Sequence, residues 1–122
     1  NKTILVVEDD DLNFMLLKEI LDNHKVNIFH AWNGQIGINI LQQQKSIDLI
    51  LLDLNMPVMD GYSAIRKIRK INLHIPIIAL TANAMKGDKE RCIQAGMDDY
   101  LSKPVRQKDL AGMIRKWLVN KE

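Results

Sequence analysis

The sequence predicts an α/β fold: a doubly wound sandwich around a parallel sheet of five strands. Short apolar runs alternate with longer amphipathic stretches five times along 122 residues, the pattern of consecutive βα units. Three of the runs, Ile4-Leu5-Val6-Val7, Leu49-Ile50-Leu51-Leu52 and Ile77-Ile78-Ala79-Leu80, are apolar throughout, as strands buried on both faces are. The remaining two alternate or are short, which suits edges. An order of 2-1-3-4-5 puts the apolar strands in the middle, and right-handed crossovers put helices on both faces.

Each element has a local reason. Residues 3–8 read as the first strand. Residues 11–23 read as a helix, with Leu12, Met15, Leu16, Glu19 and Ile20 at helical spacing. Val26-Asn27-Ile28-Phe29-His30 alternates and reads as a half-exposed strand. Asn33-Gly34 opens a helix to about Gln44 with Ile36, Ile40 and Leu41 inward. Residues 47–52 form the third strand. Asp60 has the chemistry of an N-cap for a helix to about Lys70. Residues 77–80 form a strand after Pro76. Asn83 to Ala95 reads as a helix poor in large apolar residues, closed by Gly96. Residues 98–102 form a last strand. Arg106 to Leu118 is a helix with the stripe Leu110, Met113, Ile114, Trp117 and Leu118, so Trp117 reads as core.

Composition narrows the function classes. Hydrophobic residues make up 47% and charged residues 26%, ordinary for a globular domain. A formal charge of +2 gives no electrostatic basis for direct nucleic-acid binding. No apolar run reaches transmembrane length, so direct membrane contact is not expected. The single Cys92 cannot form an intramolecular disulfide and suits a reducing, cytoplasmic setting. It reads as a small helix residue. The chain starts at Asn1 without an initiator Met, which fits a processed terminus or a domain cut from a longer protein. His24, His30 and His74 lack metal-ligand spacing and read as surface or boundary residues. Arg106, Lys108, Arg115 and Lys116 read as a solvated helix face.

The ends of the apolar runs carry the chemistry. Glu8-Asp9-Asp10 follows the first, Asp53 closes the third, Thr81 the fourth, and Lys103-Pro104 follows the last. In an open parallel sheet, ligands bind at this carboxyl edge. A buried carboxylate such as Asp53 needs compensation for its charge. It is also a nucleophile able to form an acyl phosphate. The obstacle is attack of an anion on an anion, which a divalent cation relieves. Glu8 and Asp9 suit Mg²⁺ (or Mn²⁺), which takes oxygen ligands. Lys103 offers a compact positive charge to a phosphoryl oxygen, and Thr81 a hydroxyl donor. Asp10 is expected to cap the first helix.

Four segments together make a resemblance specific. They are Ile4-Leu5-Val6-Val7-Glu8-Asp9-Asp10, Leu52-Asp53-Leu54-Asn55-Met56-Pro57-Val58-Met59-Asp60-Gly61, Leu80-Thr81-Ala82-Asn83-Ala84-Met85 and Ala95-Gly96-Met97-Asp98-Asp99-Tyr100-Leu101-Ser102-Lys103-Pro104. The chain resembles, over residues 1–122 as a single domain, the receiver domain of two-component response regulators. That resemblance implies a flavodoxin-like (βα)5 three-layer sandwich. It implies that Asp53 is the phosphoacceptor and that Glu8, Asp9, Asp53 and the Asn55 carbonyl serve the metal. Lys103 and Thr81 would contact the phosphoryl group, and Thr81 and Tyr100 would form the switch. The Lys103-Pro104 bond is expected to be cis. The readout surface would be the fourth helix, fifth strand and fifth helix. Implied partners are a histidine kinase or histidine phosphotransfer protein and a downstream protein target, with the chain a monomer or weak homodimer.

The third and fourth segments are most similar to receivers of hybrid sensor histidine kinases. Such a module is a signalling switch, with self-phosphotransfer and autodephosphorylation as its only chemistry. A stand-alone regulator, or the N-terminal receiver of a longer one, is the neighbouring alternative. An aspartate-nucleophile phosphohydrolase usually carries a second acid two residues after the nucleophile, where this chain has Asn55. A flavin-binding electron carrier needs a Ser/Thr/Gly-rich phosphate loop where this chain has Glu8-Asp9-Asp10.

Overall fold

A computed structural model describes residues 2–56, 61–82 and 88–119. Its five strands are β1 (Thr3–Val7), β2 (Asn27–Ala31), β3 (Leu49–Asp53), β4 (Ile77–Thr81) and β5 (Asp99–Ser102). The helices are α1 (Asp11–Leu21), α2 (Gly34–Gln43), α3 (Gly61–Ile71), α4 (Asp88–Ala95) and α5 (Gln107–Ile114). The sheet is parallel in the expected order β2-β1-β3-β4-β5. The expected N-cap Asp60, the start of the fourth helix at Asn83 and the loop segment Pro57-Val58-Met59 lie outside the described residues.

Strand alternation divides the core in two. Leu5, Val7, Ile50, Leu52, Ile77 and Ala79 face α2, α3 and α4. Ile4, Val6, Leu49, Leu51, Ile78 and Leu80 face α1 and α5. Every residue of β1, β3 and β4 is buried, whereas edge strand β2 is half-exposed.

The first helix corrects the sequence reading. Asp10 caps it as expected, its Oδ1 accepting from the Asn13 amide at 3.1 Å. The buried stripe, however, is Leu17 and Leu21 with Phe14 and Ile20 packed beside them. Leu12, Met15 and Leu16 are 66%, 63% and 51% exposed. Residues 12, 15, 16 and 20 and residues 14, 17 and 21 both satisfy helical spacing. Periodicity therefore leaves the phase open, and the way β1 feeds the capped first turn decides it. The helix also ends at Leu21; a tighter turn, Asp22–His24, follows, closed by Lys25 at φ 54°.

Two glycines meet real constraints. A Cβ on Gly61 would lie 2.5 Å from the Leu54 Cδ2 and 2.8 Å from its Cα. Only glycine lets α3 begin so close to the segment leaving β3. Gly96 has φ +110° and turns the chain after α4, as the sequence suggested. Its carbonyl accepts from Arg69 Nε at 2.9 Å and Nη2 at 2.7 Å. The same guanidinium donates to the Ile75 carbonyl at 2.7 Å and to Asp98 Oδ2 at 2.9 Å. One planar fork thus fastens α3 to both segments that lead into β4 and β5.

At the other side of β5, Asp99 is buried at 3% exposure. Lys116 Nζ lies 3.0 Å and Trp117 Nε1 3.3 Å from its Oδ2. Beyond Ile114 the helix widens into a π turn, Arg115–Val119, and adjacent residues 116 and 117 both reach the one carboxylate. Lys116 is therefore not simply solvated, and Trp117 is half-buried rather than fully core. Burial alone would raise the Asp99 pKa. The contacts to Lys116, the Tyr100 amide and Trp117 outweigh it and hold the carboxyl below its ordinary 3.8. This stabilisation is complete above the ordinary value and is lost as pH falls through the lowered one. Asp99→Asn is expected to cost about 1–2 kcal/mol at pH 7, discounted for the exposed Lys116. Urea midpoints at pH 7 and at a pH well below the ordinary 3.8 check it, since the two proteins should converge once the pH has fallen through the lowered value.

Candidate functional site

The carboxyl edge of the sheet gathers the residues that the sequence singled out. Glu8 and Asp9 follow β1, Asp53 ends β3, Thr81 ends β4, and Lys103 follows β5. Glu8, Asp53 and Thr81 are buried, and Asp9 is exposed. Parallel strands in register bring the four ends level. Asp53 pairs with Leu80, and Thr81 with Ser102. The Thr81 carbonyl accepts from the Lys103 amide at 2.8 Å.

Lys103 holds the charges together. Its ammonium lies 2.8 Å from Asp53 Oδ2 and 3.3 Å from Glu8 Oε1. Burial opposes its charge, but the contacts to Asp53 and then Glu8 outweigh this, so its pKa is raised. Asp53 Oδ1 accepts from the Asn55 amide at 3.0 Å. Glu8 Oε2 accepts from the Asp10 amide at 3.2 Å. Glu8 Oε1, by contrast, has no hydrogen-bond partner among the described residues; the 3.3 Å approach of Lys103 is a charge contact without bond alignment.

A cation fits this arrangement. One oxygen from each of Glu8, Asp9 and Asp53 lies within 4.8 Å of the others. All three donors are carboxylates, which suits a hard divalent ion, and the unpartnered Glu8 oxygen is part of the set. Without a cation the crowding falls on protonation. Burial, then the contact with Asp53 and its charge, push Glu8 from 4.5 up to about 7.

Tyr100 stands apart from the carboxylates. It is half-buried against the core on the α2, α3 and α4 side and pairs with Ala79, two residues before Thr81. The Lys103-Pro104 peptide is cis, as expected. Asn83 lies outside the described residues.

Two features near the site escaped the sequence reading. One is a small cleft of about 60 Å³ beside Glu8 and Lys103, walled by Leu16, Ile20, Leu80, Pro104 and Val105. It runs onto the exposed apolar face of α1. The other is an aromatic group at the end of β2. His30 stacks on Phe14 with centroids 3.6 Å apart and lies 3.9 Å from Trp32. Phe14, His30 and Trp32 were each visible as residues, but nothing in their spacing joins three different elements.

Residues 4–115 match the family model of the response regulator receiver domain. The chain belongs to that family. The receiver is 38% identical over 125 residues to hybrid signal transduction histidine kinase M of Dictyostelium discoideum, covering 98% of this chain and 5% of that protein. It is 38% identical to the receiver domain of sensor histidine kinase PA1611 from Pseudomonas aeruginosa, with a TM-score of 0.88 over 98% of this chain and 99% of that one. That crystal structure has a magnesium ion coordinated in its active-site cleft. Saccharomyces cerevisiae Ssk1 supplies a third relative, its receiver domain in a co-crystal with the histidine phosphotransfer protein Ypd1. The similarity there is 32% identity with a TM-score of 0.87, covering 100% of this chain and 95% of that one. The receiver spans only 5% to 17% of the length of curated relatives such as the Dictyostelium kinase. It is a two-component signalling module, and no helix among its described residues is long and apolar enough to cross a membrane.

Glu8 gives this receiver a pH signature. Between 4.5 and about 7 the folded state holds more protons at Glu8 than the unfolded state, so stability falls as pH rises through that window. In metal-free protein, Glu8→Gln should be more stable than wild type by about 1–3 kcal/mol at pH 8 and nearly equal at pH 4.5. Added Mg²⁺ should raise the wild-type melting midpoint more than that of the variant. Thermal melts at the two pH values, with and without Mg²⁺, test both statements.

Proposed function

We propose that this receiver is a phosphorylation switch, taking a phosphoryl group onto Asp53 from the phosphohistidine of a kinase or phosphotransfer protein. The observation that carries this reading is the buried Asp53 carboxylate, held by Lys103 at 2.8 Å beside two further carboxylates at one sheet edge. A carboxylate nucleophile needs no general base. An oxygen of Asp53 bonds to phosphorus as the phosphorus–nitrogen bond of phosphohistidine breaks, and the imidazole leaves with the electron pair and is protonated. Glu8, Asp9, Asp53 and the Asn55 carbonyl are the residues that would hold the cation. Mg²⁺ bound there supplies charge neutralisation between the attacking carboxylate and the phosphoryl oxygens. Lys103, already turned toward Asp53, stays with the product oxygens. Asn55 fixes the second carboxylate oxygen through its amide.

The donor docks on α1. Leu12, Met15 and Leu16 form an exposed apolar face that leads through the cleft at Leu16 and Ile20 to Lys103. A helical partner laying apolar residues there would bring its phosphohistidine over Asp53. A related receiver, that of Ssk1, has been crystallised with the histidine phosphotransfer protein Ypd1, which supports a partner of that class.

The output is a population shift. The phosphoryl group adds charge and acceptor oxygens. Thr81 and Lys103 meet them, the ends of β4 and β5 adjust, and Tyr100 follows. The surface of α4, β5 and α5 then presents a different face to a downstream protein. The chain acts as one receiver module, residues 1–122, of a hybrid sensor histidine kinase, in keeping with its similarity to receivers of sensor and hybrid kinases. It works in the cytoplasm, the reducing setting that a single Cys92 suits.

Intact mass after incubation with acetyl phosphate and Mg²⁺ tests the chemistry. A single phosphoryl adduct is expected, lost with chelator and lost in Asp53→Asn. An unmodified wild type that also forms no beryllofluoride complex would refute the proposal. Leu16→Asp tests the docking face. It should slow transfer from a phosphotransfer protein by about tenfold or more and leave labelling by acetyl phosphate unchanged. Thr81→Ala tests the switch, and should accept phosphate at Asp53 yet lose the phosphorylation-dependent change in partner affinity.

A further inference from the structure

We infer that His30 is a positioning residue for the acidic turn Glu8-Asp9-Asp10, acting through the Glu8 backbone on the receiver's affinity for its divalent cation. The inference rests on the proposed function of that site. β1 and β2 pair in register from Thr3 with Asn27 to Val7 with Ala31. The Glu8 amide continues the ladder one step further, donating to the Ala31 carbonyl at 2.9 Å. In a parallel ladder the Glu8 carbonyl would next accept an amide from the β2 chain. That chain instead turns away, and Asn33 caps α2. His30 Nε2 lies 2.9 Å from the Glu8 oxygen in its place. A carbonyl only accepts, so Nε2 carries the proton. The imidazole supplies a substitute ladder bond to the residue whose side chain holds an unpartnered oxygen at the site.

The ring is fixed on both faces. Phe14 of α1 stacks on it at 3.6 Å and 4°. Trp32 covers the other side at 3.9 Å and 37°, and its indole Nε1 donates to Asp11 Oδ1 at 2.7 Å. The stack therefore joins the end of β2 to the first turn of α1, and the acidic turn lies between the two. Three carboxylates that repel one another would otherwise spread this turn. Holding its carbonyl and amide together keeps Glu8 and Asp9 set for a cation before one arrives. Support behind a ligand set commonly governs metal affinity in this way.

Three variants separate the hydrogen bond from the stack. His30→Phe keeps a flat ring between Phe14 and Trp32 and removes the donor. His30→Gln keeps an N–H donor at the Nε2 position and removes the ring. Titration calorimetry with Mg²⁺ should give about three- to tenfold weaker binding for His30→Phe. His30→Gln should return to within about twofold of wild type while melting at lower temperature. In metal-free protein the Asp10 amide, which donates to Glu8 Oε2, should exchange hydrogen faster in His30→Phe. Should His30→Phe not fold, His30→Leu against His30→Gln carries the same comparison. Wild-type Mg²⁺ affinity in the donorless variant, or equal loss in His30→Gln, overturns the inference and leaves the phosphoryl-acceptor reading standing. A wild type that neither binds Mg²⁺ nor labels at Asp53 overturns both.

Discussion

Confinement of like charge is the constraint on which this molecule turns. Glu8 and Asp53 are both buried, and Asp9 stands beside them, all at one edge of a sheet whose central strands are mostly apolar. Left alone, such carboxylates would repel and draw in water. One ammonium, Lys103, reaches two of them, and burial, with Asp53 beside it, still raises the pKa of Glu8. The fold tolerates this because the strands below are packed on both faces and cannot splay. The site is thus a place where local stability is given up for an unfilled demand for positive charge. On the proposed function, that demand is what a cation and a phosphoryl donor would answer.

Much of this could be read from residues alone, for physical reasons that differ from place to place. The central strands declare themselves because burial on both faces requires an apolar residue at every position. The site declares itself because βα topology puts all strand ends on one edge, so Glu8, Asp9, Asp53, Thr81 and Lys103 had to converge. The phase of α1 could not be read. Seven of its positions are apolar, from Leu12 to Leu21, and two stripes fit equally well. That ambiguity is itself informative, because a helix apolar on two faces has one face for the core and one to spare. Arg69 carries no signal of its own in the sequence, being one of two basic residues in the last turn of α3. Its role appears only when Gly96, Ile75 and Asp98 are brought to it in space. The sequence marks His30 as a surface or boundary residue, and its partial burial agrees; what spacing cannot supply is the missing rung in the ladder that its ring fills.

The division of labour among the strands follows their order in the sheet. β1 and β3 are central, and their ends hold the acidic groups. β4 and β5 carry Thr81 and Lys103 on ends that join the central sheet to α4 and α5. On the proposed function, charge added at Asp53 would act first on the ends of the neighbouring strands. The two core layers are separated by the strand ladder, so an adjustment on the α4 side need not disturb the α1 side.

The Arg69 fork has a mechanical consequence. It pins Gly96, the residue at which α4 ends, to α3 and to the entry of β4. A helix held at one end cannot translate as a block. Any push delivered from the Thr81 end must become rotation about Gly96, with displacement growing along α4 away from that fulcrum. A small adjustment near the phosphoryl site would then be read at full amplitude only at the far tip of the lever, which confines the changed surface to one end of the helix and leaves the other a fixed reference for whatever binds.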